Sequence, residues 1–186
     1  MKWKKESDEV LYQKNLNQVI QISRNDIQHL KDIAQESARH QARICAHSGK
    51  EEDIHEMVIY HQKGAYLHPH KFHINTESYL LLEGEIDVVL FNDLGEPLKV
   101  IEMGTIGSQK TFFFRLPQPM FRTLILKQDS VFLEVKTGPF NPDNRELAKW
   151  APHHEEISEV NKYLDQLSLS VKNLLTNDTN NLSSTR

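Results

Sequence analysis

Histidine is the residue type in this 186-residue chain that most readily supports chemistry, and its ten copies are unevenly distributed. Eight lie between His29 and His73, and four fall within thirteen positions: His61, His68, His70 and His73. An imidazole ring can bind a transition metal through either nitrogen, or transfer a proton near neutral pH. The search for a functional site therefore starts at this cluster.

The segment YLHPHKFHINTE contains three of these histidines and a carboxylate. In an extended strand, alternation places His68, His70 and Phe72 on one face and His73 on the other. Glu77 begins the next strand. Imidazole and carboxylate donors facing one interior can bind iron, manganese, nickel or zinc and leave positions open for substrate. His70 and Glu77, with His68 as a further ligand, are the candidates for such a site; the alternative is a packed or solvent-facing histidine pair.

A second polar set lies upstream, where alternation places Arg43, Cys45 and His47 on a common face. The following strand offers Glu56. If this face points into a barrel, it could bind a phosphate or a cluster of sugar hydroxyls. The alternative is the solvent-exposed face of an edge strand. Tyr79, in register with Glu77, could donate its hydroxyl to a ligand or fill the core.

Eight short apolar runs with a period of two follow one another between residues 54 and 136. Turn residues separate them, including Gly84 and the NDLG sequence over residues 92–95, both typical of hairpins. No helical pattern interrupts the series. This spacing predicts an all-β core that closes as a barrel or jelly roll, with a plain β-sandwich as the alternative.

Helical patterns flank this core. Residues 17–22 alternate like a short edge strand, and Ser23 with Asp26 resembles a capping box that opens a helix. Beyond Trp150, apolar residues recur at heptad spacing: Ile157, Val160, Leu164, Leu167, Val171 and Leu174. This second helix could pack on its own barrel or pair across a homodimer. The predicted division is a strand-and-helix cover (1–50), a barrel (51–152), a heptad helix (153–175) and a disordered tail (176–186).

Composition excludes several functional classes. The 22 Lys and Arg against 26 Asp and Glu give a net charge of −4, without a basic run, which argues against nucleic-acid binding. The single cysteine, Cys45, excludes an internal disulfide and favours a reducing compartment. No stretch of eighteen apolar residues occurs, so membrane insertion is not expected. We expect a cytoplasmic protein.

Two spacings resemble the motifs of the cupin family. Gly64, His70, Glu77 and Gly84 follow the first motif, with Phe72 at a position that is normally histidine. Residues 117–122 and Leu126 follow the second motif, with arginine in place of its histidine ligand. The segments that carry a narrower resemblance are residues 42–47, Glu56 and Met57, residues 69–84, residues 87–91, Glu134 and Val135, residues 138–142 and residues 150–152.

Together these segments resemble the WbuC family of cupin-fold proteins from bacterial O-antigen and surface-polysaccharide clusters. The resemblance implies a cupin double-stranded β-helix that binds a sugar or nucleotide sugar during polysaccharide biosynthesis. One alternative is a metal-dependent sugar isomerase or epimerase using His68, His70 and Glu77. Another is a dimeric, non-enzymatic scaffold built on the C-terminal helix.

The chain departs from the cupin ligand set at two of four positions. Phe72 has no lone pair and Arg122 stays protonated, so His70 and Glu77 would form a degenerate site. Arg122 is expected to take the place of the cation by pairing with Glu77 inside the barrel. We therefore expect no cofactor, with one divalent Fe, Mn, Ni or Zn ion as the alternative. The predicted pocket residues are Arg43, His47, Tyr79 and Arg122.

Overall fold

The computed structural model of the protein describes residues 3–13, 19–117 and 119–183. Within these residues the chain forms two α-helices, α1 (Arg24–Glu36) and α2 (Ile157–Ser183). The strands in the same residues are β1 (Trp3–Ser7), β2 (Val10–Gln13), β3 (Gln41–Cys45), β4 (Ile54–His61), β5 (His70–Phe72), β6 (Glu77–Glu83), β7 (Ile86–Phe91), β8 (Pro97–Met103), β9 (Phe113–Leu116), β10 (Phe121–Leu126), β11 (Ser130–Thr137) and β12 (Arg145–Leu147).

Two β-sheets face each other across the interior. The seven-stranded sheet has the order β1-β2-β3-β4-β11-β6-β9, and the five-stranded sheet has the order β12-β5-β10-β7-β8. From β4 to β12, strands that follow one another along the chain alternate between the two sheets, except for the β7–β8 hairpin within the five-stranded sheet, as in a double-stranded β-helix. Seven of the eight runs predicted between residues 54 and 136 form β4 and β6 to β11, whereas the predicted strand over residues 64–70 is observed only at its last residue, where β5 begins. The predicted all-β core of the cupin jelly-roll type, with a helix at each end, is confirmed.

Strand alternation sorts the apolar side chains into three packed layers. Along β7, Val88 points between the sheets, whereas Val89 points outward toward α2. All six residues of β7 are buried, because the strand is covered on both faces. Gly84 makes the tight turn between β6 and β7 with φ of 87°, a conformation that favours glycine.

The helix α1 covers the outer face of the seven-stranded sheet. The predicted capping box is present: the backbone N–H of Ser23 donates to Asp26 Oδ2 over 2.7 Å. The other carboxylate oxygen of Asp26 accepts from the Trp3 indole at 2.7 Å, which ties β1 to the helix. The predicted strand over residues 17–22 is not observed in its described part, residues 19–22; residues 17 and 18 lie outside the described residues. The strand that pairs with β3 on this side of the sheet is β2.

The helix α2 packs against the five-stranded sheet of its own chain. Leu167 and Val171 are buried there with Phe91 and Phe121, whereas Ile157 is 70% exposed. The predicted heptad face is therefore only partly used in this contact, and the homodimer stays a prediction. No helix in the described part of the chain has the length and apolarity to cross a bilayer.

The C-terminal segment differs from the tail predicted over residues 176–186. The helix α2 continues through Ser183, and residues 184–186 lie outside the described residues. Neither glycine nor proline occurs after Leu175, so no helix-breaking residue ends the helix there. The Thr176 hydroxyl donates to the Lys172 carbonyl at 2.8 Å, which polar side chains can do without leaving the helix.

We predict that Leu167→Ala destabilises the protein by about 2–5 kcal/mol, because it leaves a cavity between α2 and the sheet. The matched control is Leu169→Ala, since Leu167 is 4% and Leu169 61% exposed on the same helix. The control should cost less than about 0.5 kcal/mol. Urea unfolding of both variants measures the difference. Equal losses in the two variants would contradict the packing of α2 described here.

Candidate functional site

A buried ion pair joins the two sheets in the interior. Glu77 on β6 belongs to the seven-stranded sheet, and Arg122 on β10 belongs to the five-stranded sheet. Both residues are 2% exposed, and Nη2 of Arg122 contacts Oε2 of Glu77. Nη1 of Arg122 also donates to the carbonyl oxygen of His70 at 2.7 Å. The predicted pairing of Arg122 with Glu77 is therefore present in the structure.

Strand alternation explains why two charges project into an apolar core. Glu77 shares the inward face of β6 with Tyr79 and Leu81, and Arg122 shares that of β10 with Leu124. Burial raises the pKa of Glu77, and contact with Arg122 opposes this rise. An isolated buried charge would be strongly unfavourable, so each of the two charges makes burial of the other tolerable.

The four positions of the cupin ligand set do not fit a divalent metal. Phe72 offers no lone pair, and its ring lies 5.3 Å from the guanidinium carbon of Arg122. The Arg122 guanidinium occupies the carboxylate of Glu77, so a metal at that carboxylate would lie beside a fixed positive charge. His70 keeps an imidazole near this point, with Nδ1 donating to the carbonyl oxygen of His68 at 2.9 Å.

The alternative ligand set does not converge either. The donor atoms of His68, His70 and Glu77 do not lie within 4.8 Å of one another. His68 precedes β5, so strand alternation does not fix its direction, and its Nε2 donates to the carbonyl of Ala148 at 2.9 Å. His73 lies outside, 3.2 Å from a carboxylate oxygen of Glu146, on the face opposite to His70 as predicted.

One group of possible metal donors is found in the described part of the chain. His153, His154 and Glu155 bring their donor atoms within 4.8 Å of one another just before α2. All three residues are exposed, and both histidines line the cavity described next. Because the three residues are adjacent in the sequence, their spacing does not distinguish a metal site from an ordinary polar loop.

A cavity of about 330 Å³ lies beside the buried ion pair. Both sheets contribute to it, with Arg43 and Tyr79 from one sheet and His70 and Phe72 from the other. Arg122 and Glu77 do not line this cavity, which corrects the prediction that Arg122 is a pocket residue. Arg122 instead contacts the backbone carbonyl of His70 and the ring of Phe72, two residues that line the cavity.

His47 also lies outside the cavity, contrary to the sequence prediction. The strand β3 ends at Cys45, so the alternation that placed His47 on the face of Arg43 does not extend to it. Its Nδ1 lies 3.2 Å from the carbonyl oxygen of Glu56, and its ring stacks on His55 at 4.2 Å. Burial and the neighbouring His55 lower the pKa of His47 to about 4.

The charged side chains around the cavity are mainly cationic. Four basic and two acidic residues line it: Arg39, Arg43, Lys136, Arg145, Glu9 and Glu134. Arg145 is exposed, but partial loss of solvent around its side chain lowers its pKa, and the positive charges of Arg122 and Arg39 lower it further. Burial likewise places the pKa of His70 well below its ordinary value, with Arg122 and Arg145 adding to the effect. Basic residues therefore outnumber acidic residues around the cavity.

Several of these cations were not identified from the sequence. Arg145 lies on the three-residue strand β12, which is too short to show an alternating pattern. Lys136 ends an apolar run in which Glu134 and Lys136 alternate with apolar residues, and this alternation was the available signal. Arg39 lies in the connection between α1 and β3, where its guanidinium pairs with Glu9.

The sequence matches one family over residues 22–103, described as a domain of unknown function (DUF6016). The matched stretch begins just before α1 and ends with β8. No curated protein matches the chain.

Several solved structures are similar to the chain at low sequence identity. A structural-genomics protein from Shewanella oneidensis is 16% identical with a TM-score of 0.43, over 55% of this chain and 66% of that one. The Cnp3 cupin domain of Schizosaccharomyces pombe is 18% identical with a TM-score of 0.40, over 52% and 64%. Oxalate decarboxylase from Bacillus subtilis is 18% identical with a TM-score of 0.42, over 63% and 31%. Each match spans less than two thirds of the other protein's length.

We predict that acid destabilises the protein partly through His61, which lines the cavity. This side chain is 4% exposed and stacks on Phe132, and burial lowers its pKa to about 3, with Arg39 and Arg43 adding to the effect. In the unfolded chain, the pKa of His61 returns to about 6.5. Between about pH 3 and about pH 6.5, the unfolded state therefore binds one proton more than the folded state. The contribution of His61 to stability is thus present above about pH 6.5 and is lost as the pH falls.

The measurement is urea unfolding of the wild type and His61→Gln at about pH 5 and about pH 7.5. The wild type should lose about 2 kcal/mol more than the variant between these conditions, since each unit of pH carries about 1.4 kcal/mol. Equal losses in the two proteins would show that His61 is not held neutral by the fold.

Proposed function

We propose that the protein binds an anionic sugar derivative, such as a nucleotide sugar, in the cavity beside the ion pair. The observation that carries this proposal is the excess of basic residues around the cavity. Arg43 and Arg145 approach it from opposite sheets, and neither forms an ion pair within the described residues. Arginine forks bind phosphate and carboxylate oxygens in pairs, so the two residues could bind a phosphate between them.

The size and lining of the cavity support a small-molecule ligand. Its volume of about 330 Å³ lies in the range of typical ligand pockets, which begin at about 300 Å³. Aromatic side chains line it: Phe72 from one sheet, Phe132 from the other, and Tyr66 from the connection between β4 and β5. Such walls provide apolar faces for a sugar ring or a base, while the arginines fix the charged group.

The WbuC resemblance suggests surface-polysaccharide biosynthesis as the setting for this binding. In that setting the ligand would be a cytoplasmic nucleotide sugar, and the protein would serve as a binding or accessory module. Metal-dependent isomerisation through His68, His70 and Glu77 is not proposed, because their donor atoms do not converge. The homodimer and the cytoplasmic location stay predictions.

The test is thermal unfolding with UDP-glucose, UDP-N-acetylglucosamine, UDP and free glucose as probes. A ligand that binds only the folded state stabilises it by about 2.7 kcal/mol at a hundred times its Kd. We expect the three nucleotides to raise the Tm and free glucose to have little effect, since it carries no phosphate.

Arg145→Gln should weaken nucleotide binding by about tenfold or more, because it removes one charge-assisted contact. Arg115→Gln is the matched control, since Arg115 is exposed on β9 and does not line the cavity. Isothermal titration with UDP-glucose compares the two variants. A similar loss in both, or stabilisation by glucose equal to that by UDP-glucose, would contradict an anion site in the cavity.

A further inference from the structure

Lys136 is a buried amine in the wall of the cavity. The inward face of β11 carries Phe132, Glu134 and Lys136, and Lys136 lies opposite Glu77 on the neighbouring strand. The residue is 7% exposed, yet it lines the space in which the proposed ligand binds. A ligand in the cavity would therefore be within reach of this amine.

The nearest groups around the Lys136 amine are aromatic. Its Nζ lies 4.1 Å from the ring centre of Phe72 and 5.4 Å from that of Phe140. No carboxylate oxygen within the described residues lies within 4.0 Å of it. By contrast, each of the following lysines has a carboxylate oxygen within 4.0 Å of its Nζ: Lys4, Lys5, Lys31, Lys71, Lys110, Lys127 and Lys162.

Burial favours the neutral form of this amine. It lowers the pKa of Lys136, and the smaller effects of Arg122 and Arg43 act in the same direction, whereas the negative charges of Glu134 and Glu77 oppose it. A lysine desolvated by apolar walls, without a carboxylate in direct contact, is an arrangement that makes an amine nucleophilic.

We propose that Lys136 is a nucleophile that forms an imine with an aldehyde or ketone carbonyl of an anionic ligand. The inference rests on the proposed function, because Arg43 and Arg145 would hold the anionic group of the same molecule. The amine nitrogen attacks the carbonyl carbon and gives a carbinolamine. Loss of the former carbonyl oxygen as water, with both amine protons, leaves a carbon–nitrogen double bond. Addition of one further proton gives the iminium ion, which can withdraw electrons from the adjacent carbon.

The test uses pyridoxal phosphate, an aldehyde that carries a phosphate group, as the probe. The protein is incubated with the probe, reduced with borohydride to convert any imine to a stable secondary amine, and digested for peptide mass spectrometry. We expect labelling of Lys136 to exceed that of the exposed Lys149 by about tenfold or more. Labelling of Lys136 at or below the level of Lys149 would overturn the proposal.

A variant provides the second arm of the experiment. Lys136→Met keeps a long apolar chain between the two phenylalanine rings and removes the nucleophile. In this variant, the absorbance of the imine formed with pyridoxal phosphate should fall to the level that the surface lysines alone produce. Unchanged absorbance would contradict the proposal. Stabilisation by UDP-glucose does not require an imine, so thermal unfolding reports on the anion site separately.

Discussion

The ion pair between Glu77 and Arg122 is the interaction on which the arrangement of the interior depends. One partner comes from each sheet, both are almost fully buried, and each would be unfavourable without the other. The pair therefore fixes β6 against β10. Because Arg122 also donates to the carbonyl of His70, the same interaction holds β5 in place and sets one wall of the cavity.

The same pair determines what chemistry the barrel can support. The guanidinium of Arg122 contacts one oxygen of the Glu77 carboxylate, so a metal bound at that carboxylate would lie beside a permanent positive charge. The remaining basic residues line the neighbouring cavity, where they outnumber the acidic residues. Such a cavity favours phosphate and carboxylate groups, and it keeps the buried amine of Lys136 close to a bound ligand.

Features that depend on local periodicity could be predicted from the sequence. The strands β4 and β6 to β11 follow the two-residue alternation of apolar side chains, and the Ser23–Asp26 cap needs only four residues to specify it. Strand alternation also placed Tyr79 and Arg43 among the residues that line the cavity. The pairing of Arg122 with Glu77 was instead expected from the resemblance to the cupin motifs, which implies that both side chains point into the barrel.

Features that depend on contacts between distant residues could not be predicted in this way. His47 was misplaced because β3 ends two residues earlier than the alternation suggested. Arg145 enters the site through pairing of β12 with β5, which a three-residue strand does not reveal. The extent of α2 was underestimated because polar residues without glycine or proline neither require nor prevent a helix.

A double-mutant cycle on the ion pair tests the central claim most directly. Urea unfolding is measured for the wild type, Glu77→Leu, Arg122→Met and the double variant. Each single variant should lose about 3–5 kcal/mol because it leaves an unpaired buried charge, whereas the double variant should lose much less than the sum. Additive losses, agreeing within about 0.5 kcal/mol, would show that the two side chains do not stabilise each other and would contradict this account.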